Sequence, residues 1–148
     1  MRVTLDYRPA LLGRSGIGRY VRELVRALAR CADAPALDLH AVFWRGHDEA
    51  IAAASLPDSP SLSLRARRRP ARLQAFLTNV GLGQDVGDLV LLTDYVRVPH
   101  RVNPAVFTLH DLAFLNEALW YLPEVRARIE AVTRRLVAES HLILVPTR

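Results

Sequence analysis

The residue pattern best suited to chemistry is a glycine-spaced turn at positions 13–20, with the sequence Gly-Arg-Ser-Gly-Ile-Gly-Arg-Tyr. It lies between an apolar segment and a stretch of helical periodicity, so we expect it to open a helix. A helix N-terminus presents unpaired N–H groups and the positive end of the dipole, which attract a phosphate or carboxylate. The order G-x-x-G-x-G differs from the dinucleotide fingerprint, and no P-loop Gly-Lys-Ser/Thr follows. A tight turn without a ligand is therefore an equal interpretation of this segment alone.

Further polar residues follow the apolar segments that are predicted to be strands. Thr93 and Asp94 follow one of these segments, His110 and Asp111 follow the next, and 147–148 follow the last. Ligands of open α/β sheets bind outside the carboxyl ends of the strands, so we expect these residues to meet the glycine turn at one crevice. An imidazole there can hydrogen-bond a sugar hydroxyl or stabilise a developing charge. Candidates for substrate contacts are Arg14, Thr93, Asp94 and Asp111.

Structural roles compete with each of these assignments. His110 could be satisfied by backbone in the strand–loop turn, and Asp111 could cap a turn or a short helix. Asp6 and Arg8 could pair with each other, and a structural role is favoured for Asp6. Tyr95 could stack on a sugar, although large aromatic residues near loops more often pack against the core. No spaced His/Asp/Glu cluster of tetrahedral type is visible, so no metal site is predicted.

The elements that must position these residues follow from hydrophobic periodicity. Residues 3–7 are predicted to form a strand, the segment beginning at Ile17 an amphipathic helix, and 37–44 a second strand, which together make a βαβ unit with parallel strands. Further strands are predicted at 88–93, 105–109 and 142–145, and a helix at 125–139. The three further strand segments have nearly continuous apolar runs, which are typical of strands buried on both faces of a sheet. The chain is therefore predicted to be an α/β protein with a Rossmann-like parallel sheet flanked by helices.

Composition limits the architecture and the partners. With 148 residues and 51% hydrophobic content, 1–148 is expected to form a single domain. The net charge is +5 and all twenty basic residues are arginine, which suits nucleic acid, an anionic membrane surface or a phosphorylated ligand. The densest run, 65–72, is predicted to be a solvated surface loop, because no aromatic residues interleave to stack bases. An anionic membrane surface is kept as a partner of this run.

The cellular compartment is predicted from the cysteine content and from the lack of a signal peptide or membrane-spanning pattern in the sequence. Cys31 is the single cysteine, so an intrachain disulfide framework is excluded. Charge returns too early for a signal peptide, and no apolar stretch approaches the ~20 residues that span a bilayer. The sequence therefore predicts a cytoplasmic protein.

Four segments in order resemble the N-terminal half of family 4 retaining glycosyltransferases. They are 2–11 (Arg-Val-Thr-Leu-Asp-Tyr-Arg-Pro-Ala-Leu), 16–20 (Gly-Ile-Gly-Arg-Tyr), 108–115 (Thr-Leu-His-Asp-Leu-Ala-Phe-Leu) and 142–146 (Leu-Ile-Leu-Val-Pro). The resemblance covers nearly the whole chain, although 116–121 depart from the proline-glutamate-aromatic run usual in the family. It implies the GT-B architecture, in which an N-terminal Rossmann-like domain binds mainly the acceptor and a C-terminal domain holds the nucleotide sugar.

The same resemblance implies an activity. Such enzymes transfer a hexose from a nucleotide diphosphate sugar to a glycan or lipid-linked acceptor with retention, usually without a metal, and the nucleotide sugar is a co-substrate rather than a cofactor. Gly16, Ile17 and Gly18 would approach the donor diphosphate, and His110 would be the catalytic residue beside the reacting carbon. By this resemblance the C-terminal domain is expected to lie outside the chain, which would then be a fragment, an excised domain or one half of a split enzyme, with negligible activity alone. The expected location is the cytoplasm, with peripheral attachment to the inner face of the membrane as a further expectation.

Other functions compete with this one. The main alternative is a non-catalytic Rossmann-like binding module whose exposed cleft face forms a homodimer. A nicotinamide-dependent oxidoreductase is disfavoured, because Arg45 follows the second strand where an acidic ribose ligand is needed. Nucleic-acid binding would depend on charge alone.

Overall fold

The structure of the chain is a computed structural model that describes residues 1–12, 15–43, 56–70, 72–73, 76–77, 86–95, 104–116 and 120–146. The strands are β1 (Arg2–Asp6), β2 (Ala36–Phe43), β3 (Leu62–Arg68), β4 (Leu89–Leu92), β5 (Ala105–Thr108) and β6 (Leu142–Leu144). The helices are α1 (Arg8–Leu12), α2 (Gly16–Ala29), α3 (Ala113–Asn116) and α4 (Pro123–Glu139).

The strands form one six-stranded sheet in the order β3-β2-β1-β4-β5-β6, and every neighbouring pair is parallel. The predicted α/β class and Rossmann-like parallel sheet are therefore confirmed. In this order the chain builds outward from β1 in one direction, then crosses back to β4 on the other side of β1. The crevice at such a reversal, outside the carboxyl ends of β1 and β4, is where ligands bind in sheets of this kind.

Helix α2 forms because its apolar residues recur on one stripe. Ser15 caps its N-terminus, since the Ser15 Oγ accepts a hydrogen bond from the Gly18 N–H at 3.1 Å. Val21 and Val25 are fully buried against the sheet. The cluster that they join contains Val3, Leu5, Tyr7, Ala10, Leu37 and Leu39.

Helix α4 covers the other face of the sheet. It starts with a proline, whose fixed φ and missing N–H suit a first helical position. Leu136 is fully buried in a cluster with Val90, Leu92, Ala105 and Phe107. Thr4 is paired with Val90 and Val3 with Leu89. Because side chains alternate along a strand, this second cluster lies on the face opposite Val3 and Leu5.

The prediction that 65–72 form a solvated loop is wrong. Residues 65–68 belong to β3, which pairs with β2 from Leu62 to Arg68. A buried carboxylate on β2 explains the difference, because Asp38 accepts a hydrogen bond from the Arg65 Nε at 2.9 Å and from the Ser63 Oγ at 3.2 Å. The high charge of this segment therefore led to the prediction of a loop where the structure has an edge strand.

The last strand also departs from expectation. The segment 142–145 was predicted to be a buried strand, and Leu142–Leu144 do form β6, but all three residues are exposed. Within the described residues β6 lies at the end of the sheet, with β5 as its only neighbour. The other predicted strands and the helix at 125–139 agree with the structure to within two residues at each end.

The amino ends of β1 and β4 are held together at Gly87. The Gly87 N–H donates to the Thr4 Oγ1 at 2.7 Å, and the Asp88 N–H donates to the Arg2 carbonyl at 2.7 Å. A Cβ on Gly87 would lie 2.2 Å from the Arg2 carbonyl oxygen, so only glycine fits here. This close approach sets the register of the two strands that flank the crevice.

None of the helices in the described ranges combines the length and the apolar character that crossing a bilayer requires.

Candidate functional site

The carboxyl edge of the sheet brings together residues from β4, β5 and α2. The His110 Nε2 lies 2.9 Å from the Thr93 carbonyl oxygen, which joins the segments that follow β5 and β4. The Tyr20 ring meets the His110 ring edge-on, with centroids 4.9 Å apart. The first turns of α2 therefore lie next to His110, as the strand-end rule led us to expect.

The hydrogen bond of His110 determines which ring nitrogen carries the hydrogen when the ring is neutral. A carbonyl oxygen only accepts, so Nε2 carries the hydrogen and the neutral ring keeps Nδ1 as an acceptor. The sequence analysis gave, as a structural alternative, a histidine whose ring is hydrogen-bonded to the backbone, and this hydrogen bond is present. It also orients the ring, so a structural role and a ligand-binding role are compatible here.

Tyr20 belongs to the candidate site, although the sequence analysis named it only as the last residue of the glycine-spaced turn. Its hydroxyl lies 3.3 Å from the Thr108 Oγ1 at the end of β5, and both residues are largely removed from solvent. Thr93 is 1% exposed, and its Oγ1 has no hydrogen-bond partner within the described residues. A tyrosine four positions after Gly16 and a threonine at a strand end are the signals that could have identified this polar cluster.

The N-terminus of α2 keeps two free backbone donors. The Gly18 N–H is already bonded to the Ser15 Oγ, whereas the amides of Gly16 and Ile17 have no acceptor within the described part of the chain. The first turn contains no acidic residue, so no side chain there neutralises the positive end of the dipole. Of the three predicted phosphate-binding residues, Gly16 and Ile17 can therefore donate to an anion, and the Gly18 amide serves the cap.

The surroundings of Gly16 are open. A Cβ placed on this residue would meet no atom within 4 Å, and Gly16 is exposed. The fold therefore does not require glycine at this position. An unfilled space above two free amides is what an approaching ligand needs.

Asp6 and Arg8 form the ion pair that the sequence suggested. The Arg8 Nε donates to both Asp6 carboxylate oxygens, at 2.8 and 2.9 Å, and the Arg8 Nη2 donates to the Asp6 Oδ2. The Arg8 backbone N–H also donates to the Asp6 Oδ1 at 3.0 Å. Asp6 is 5% exposed, so this carboxylate is used to hold the turn after β1.

Asp94 faces the same crevice with a perturbed carboxyl group. Burial raises the pKa of Asp94, and the nearby charge of Asp6 raises it further. The Tyr95 N–H, which donates to the Asp94 Oδ1 at 2.7 Å, lowers the pKa, as do the charges of Arg8 and of His110 in its protonated form, but burial outweighs them. A partly buried carboxyl with a raised pKa is suited to binding or exchanging a proton with a hydroxyl group.

Asp111 and Tyr95 have structural partners. The Asp111 Oδ1 accepts a hydrogen bond from the Ala113 N–H at 3.0 Å, so Asp111 caps the short helix α3, as weighed from the sequence. The Tyr95 hydroxyl donates to the Asp111 carbonyl at 3.0 Å, and its ring packs edge-on against Phe107 and Phe114. These contacts set the shape of the loop that carries His110.

Other predicted residues lie outside the site or outside the described residues. Arg14, Arg45 and 147–148 fall outside the described ranges. Within those ranges no group of three or more His, Cys, Asp or Glu side chains is placed to hold a metal ion. Cys31 is exposed beyond the end of α2.

An apolar groove of about 180 Å³ opens between α3 and α4. Leu109 and Leu112, which flank the His110–Asp111 pair in the chain, line one side of it, and Val137 lines the other. The groove therefore begins beside the loop that carries His110.

Taken together, the crevice offers two amide donors for an anion, an imidazole acceptor and a partly buried carboxyl. No protein family, curated protein or solved structure matches this chain.

Proposed function

We propose that this chain is the acceptor-side domain of a retaining glycosyltransferase of family 4. In this role it takes part in transferring a hexose from a nucleoside diphosphate sugar to a hydroxyl group of a glycan or lipid-linked acceptor. The observation that carries the proposal is the meeting of the α2 N-terminus with His110 and Asp94 at the reversal point of the sheet. The resemblance of four sequence segments to that family adds the reaction type.

The geometry supports a division of roles. The amides of Gly16 and Ile17 and the dipole of α2 stabilise negative charge on the departing diphosphate. The Nδ1 of His110 accepts a hydrogen bond from a hydroxyl of the sugar, because Nε2 is bonded to the Thr93 carbonyl. Asp94, which follows Thr93 in the chain, positions the acceptor hydroxyl beside His110. A second domain of GT-B type would hold the nucleoside.

The first test is a titration of the ¹⁵N-labelled full chain, followed by backbone NMR. The probes are a panel of nucleoside diphosphate sugars and, separately, simple hexosides. Because the nucleoside would be held elsewhere, we expect weak binding, on the order of millimolar. The diphosphate should shift the amides of Gly16 and Ile17, and the sugars should shift the signals around His110.

Two variants separate binding from folding. Gly16→Val fills the open space above the free amides and should abolish the diphosphate shifts with little loss of stability. His110→Ala should abolish the sugar shifts and leave the diphosphate shifts in place. Shifts that fall away from this edge of the sheet, or that persist in both variants, would reject the proposal.

The alternative, a non-catalytic module that self-associates, is favoured by one observation. Leu142 and Leu144 are exposed on a strand that ends the described sheet, and Val145 beside them is 53% exposed. Such an edge can pair with a second copy of the chain. Sedimentation velocity distinguishes the two functions, since a dimer broken by Leu144→Lys and lacking any response to sugars supports the module.

A further inference from the structure

The sheet face beneath α2 is apolar over most of its area and polar at its carboxyl edge. The apolar part consists of the buried residues Val3, Leu5, Leu37 and Leu39, which pack with the helix. Side chains alternate along a strand, and Leu92 and Phe107 belong to the cluster on the other face. Thr93 and Thr108, which follow them in the chain, therefore lie on the α2 face, where they replace apolar residues.

Tyr20 contacts this polar edge from the helix. It lies four positions after Gly16, about one helical turn along α2, and its hydroxyl lies 3.3 Å from the Thr108 Oγ1. Thr108 is 3% exposed, so the contact satisfies a hydroxyl group that water barely reaches. The Tyr20 ring is thus held at both ends, by the helix backbone and by the hydrogen bond of its hydroxyl.

The ring held in this way lies against His110. The two ring centroids are 4.9 Å apart and the ring planes meet at 85°, an edge-to-face arrangement that aromatic pairs favour. The same imidazole donates from its Nε2 to the Thr93 carbonyl oxygen at 2.9 Å. An aromatic wall and a hydrogen bond together leave the imidazole less rotational freedom than either contact alone.

We infer that Tyr20 is a positioning residue that holds the His110 ring in the orientation in which Nδ1 is the acceptor. An apolar pair in place of the hydroxyls of Tyr20 and Thr108 would join α2 to β5 at least as well, because a buried polar pair adds little net stability. Positioning therefore explains this polar pair better than stability does. The orientation of the ring follows from the contacts alone, whereas a sugar as its ligand rests on the proposed function.

The tautomer of His110 reports this orientation and requires no ligand. In the ¹⁵N-labelled full chain at about pH 9, where histidine rings are neutral, the ring-nitrogen shifts show which nitrogen carries the hydrogen. We expect the Nε2–H form to predominate, because a hydrogen bond of ordinary strength favours it by up to about tenfold. Tyr20→Leu removes the aromatic wall and should lower the ratio of the two tautomers at least about threefold. An unchanged ratio would overturn the inference.

Val21→Ala is the matched control for lost packing. Val21 is the next residue of α2 and is fully buried, so its truncation destabilises the helix contact without removing the Tyr20 ring. His141 is an internal control, because its Nδ1 accepts from the Ala105 N–H at 3.4 Å and its tautomer should stay the same in every variant. If Val21→Ala lowers the His110 tautomer ratio as much as Tyr20→Leu does, the positioning role is rejected.

Two further variants test the hydroxyl contact that anchors the ring. Tyr20→Phe and Thr108→Val remove the same hydrogen bond from its two sides, so each should lower the tautomer ratio by a similar and smaller amount than Tyr20→Leu. The double variant should then show no further loss, as expected for two residues that act through one contact. Fully additive losses would show that this hydrogen bond does not hold the ring.

Ligand titrations of the same variants separate this inference from the proposed function. In Tyr20→Leu the response of the His110 signals to simple hexosides should weaken, while pyrophosphate still shifts the amides of Gly16 and Ile17. A changed tautomer with an unchanged response to hexosides would reject the link to binding. A tautomer that depends on Tyr20 in a parent chain that responds to no sugar would retain the positioning role and reject the proposed function.

Discussion

At the scale of single residues, the site is governed by what each polar group is already bonded to. Asp6 is fully engaged by Arg8, and Asp111 caps α3, so neither carboxylate is as available as its position in the sequence suggests. Asp94 differs, because burial penalises its charge, and the Tyr95 N–H and the charge of Arg8 compensate this penalty only in part. In the proposed function, Asp94 and His110 are therefore the side chains of the crevice that are expected to contact a ligand.

Asp94 should make the stability of the protein depend on pH in a specific direction. A raised carboxyl pKa in the folded state means that the folded protein holds the proton more tightly than the unfolded chain. The resulting stabilisation is complete at low pH and is lost as pH rises through the folded pKa. Asp94→Asn should thus be more stable than the parent at pH 7.

Chemical denaturation across a pH series checks this expectation. The gain from Asp94→Asn should vanish below about pH 4, where the carboxyl group is protonated in both states. Asp33→Asn is the control, since Asp33 is exposed and distant from the crevice. A variant that is less stable than the parent at pH 7 would show that Asp94 is held by favourable charges rather than penalised by burial.

At the scale of elements, the attachment of β3 shows how a polar group specifies a strand. Asp38 is 1% exposed on β2, and its carboxylate contacts Arg65 and Ser63 of β3 as well as the His40 Nε2 at 3.2 Å. The contacts tie the charged edge strand to its register. They also compensate the free-energy cost of burying the Asp38 carboxylate, which would be large without a charged partner.

Removing this carboxylate should loosen β3 selectively. Asp38→Ala should lower the free energy of unfolding by roughly 3 kcal/mol, since it removes a buried carboxylate that is paired with Arg65. Hydrogen exchange of the β3 amides should accelerate more than that of β1. Ser63→Ala removes only one neutral hydrogen bond and should cost about 1 kcal/mol. Equal losses of stability in the two variants would mean that the ion pair between Asp38 and Arg65 does not stabilise the protein.

The sequence predicted most of the elements, and the exceptions have physical causes. The central strands and the helices α2 and α4 are revealed by hydrophobic periodicity, because their apolar residues face a core. β3 was missed because only Leu62 and Leu64 pack against the core, whereas the rest of the strand is rich in arginine and is held by a polar contact between Arg65 and Asp38. The exposure of β6 was missed because an apolar composition shows what a strand could bury and not whether a neighbour covers it.

The site was predicted to a similar extent. The strand-end rule located Thr93, Asp94 and His110 at one edge, since it depends only on topology. It could not show that Ser15 uses the Gly18 amide or that Tyr20 reaches Thr108, because those contacts depend on the angle at which α2 crosses the sheet.

At the scale of the whole molecule, one sheet separates two apolar clusters. The first lies beneath α2 and includes Val25, and the second lies beneath α4 and includes Leu136. Both residues are fully buried. Because the strands of a single sheet link the clusters, we expect the molecule to unfold as one cooperative unit.

A double-mutant cycle tests this cooperativity. Val25→Ala should cost about 2 kcal/mol, and Leu136→Ala about 2–5 kcal/mol, through lost burial and the cavities that remain. The two losses should add to within about 0.5 kcal/mol in a single unfolding transition, since the side chains lie on opposite faces. Val137→Ala is the matched control on α4, because Val137 is 38% exposed and its truncation should cost little. Two separate transitions would show that the halves of the sheet unfold independently.

The strand order also determines when the fold can be completed during synthesis. β1 is made first, yet its second neighbour is β4, and the contact between Arg2 and Asp88 spans 86 positions of the chain. Until that segment leaves the ribosome, β1 has an open edge of unpaired backbone groups on the side that β4 will occupy. Nascent chains that end before Leu89 should therefore be aggregation-prone and dependent on chaperones, and protection should come as β4 arrives.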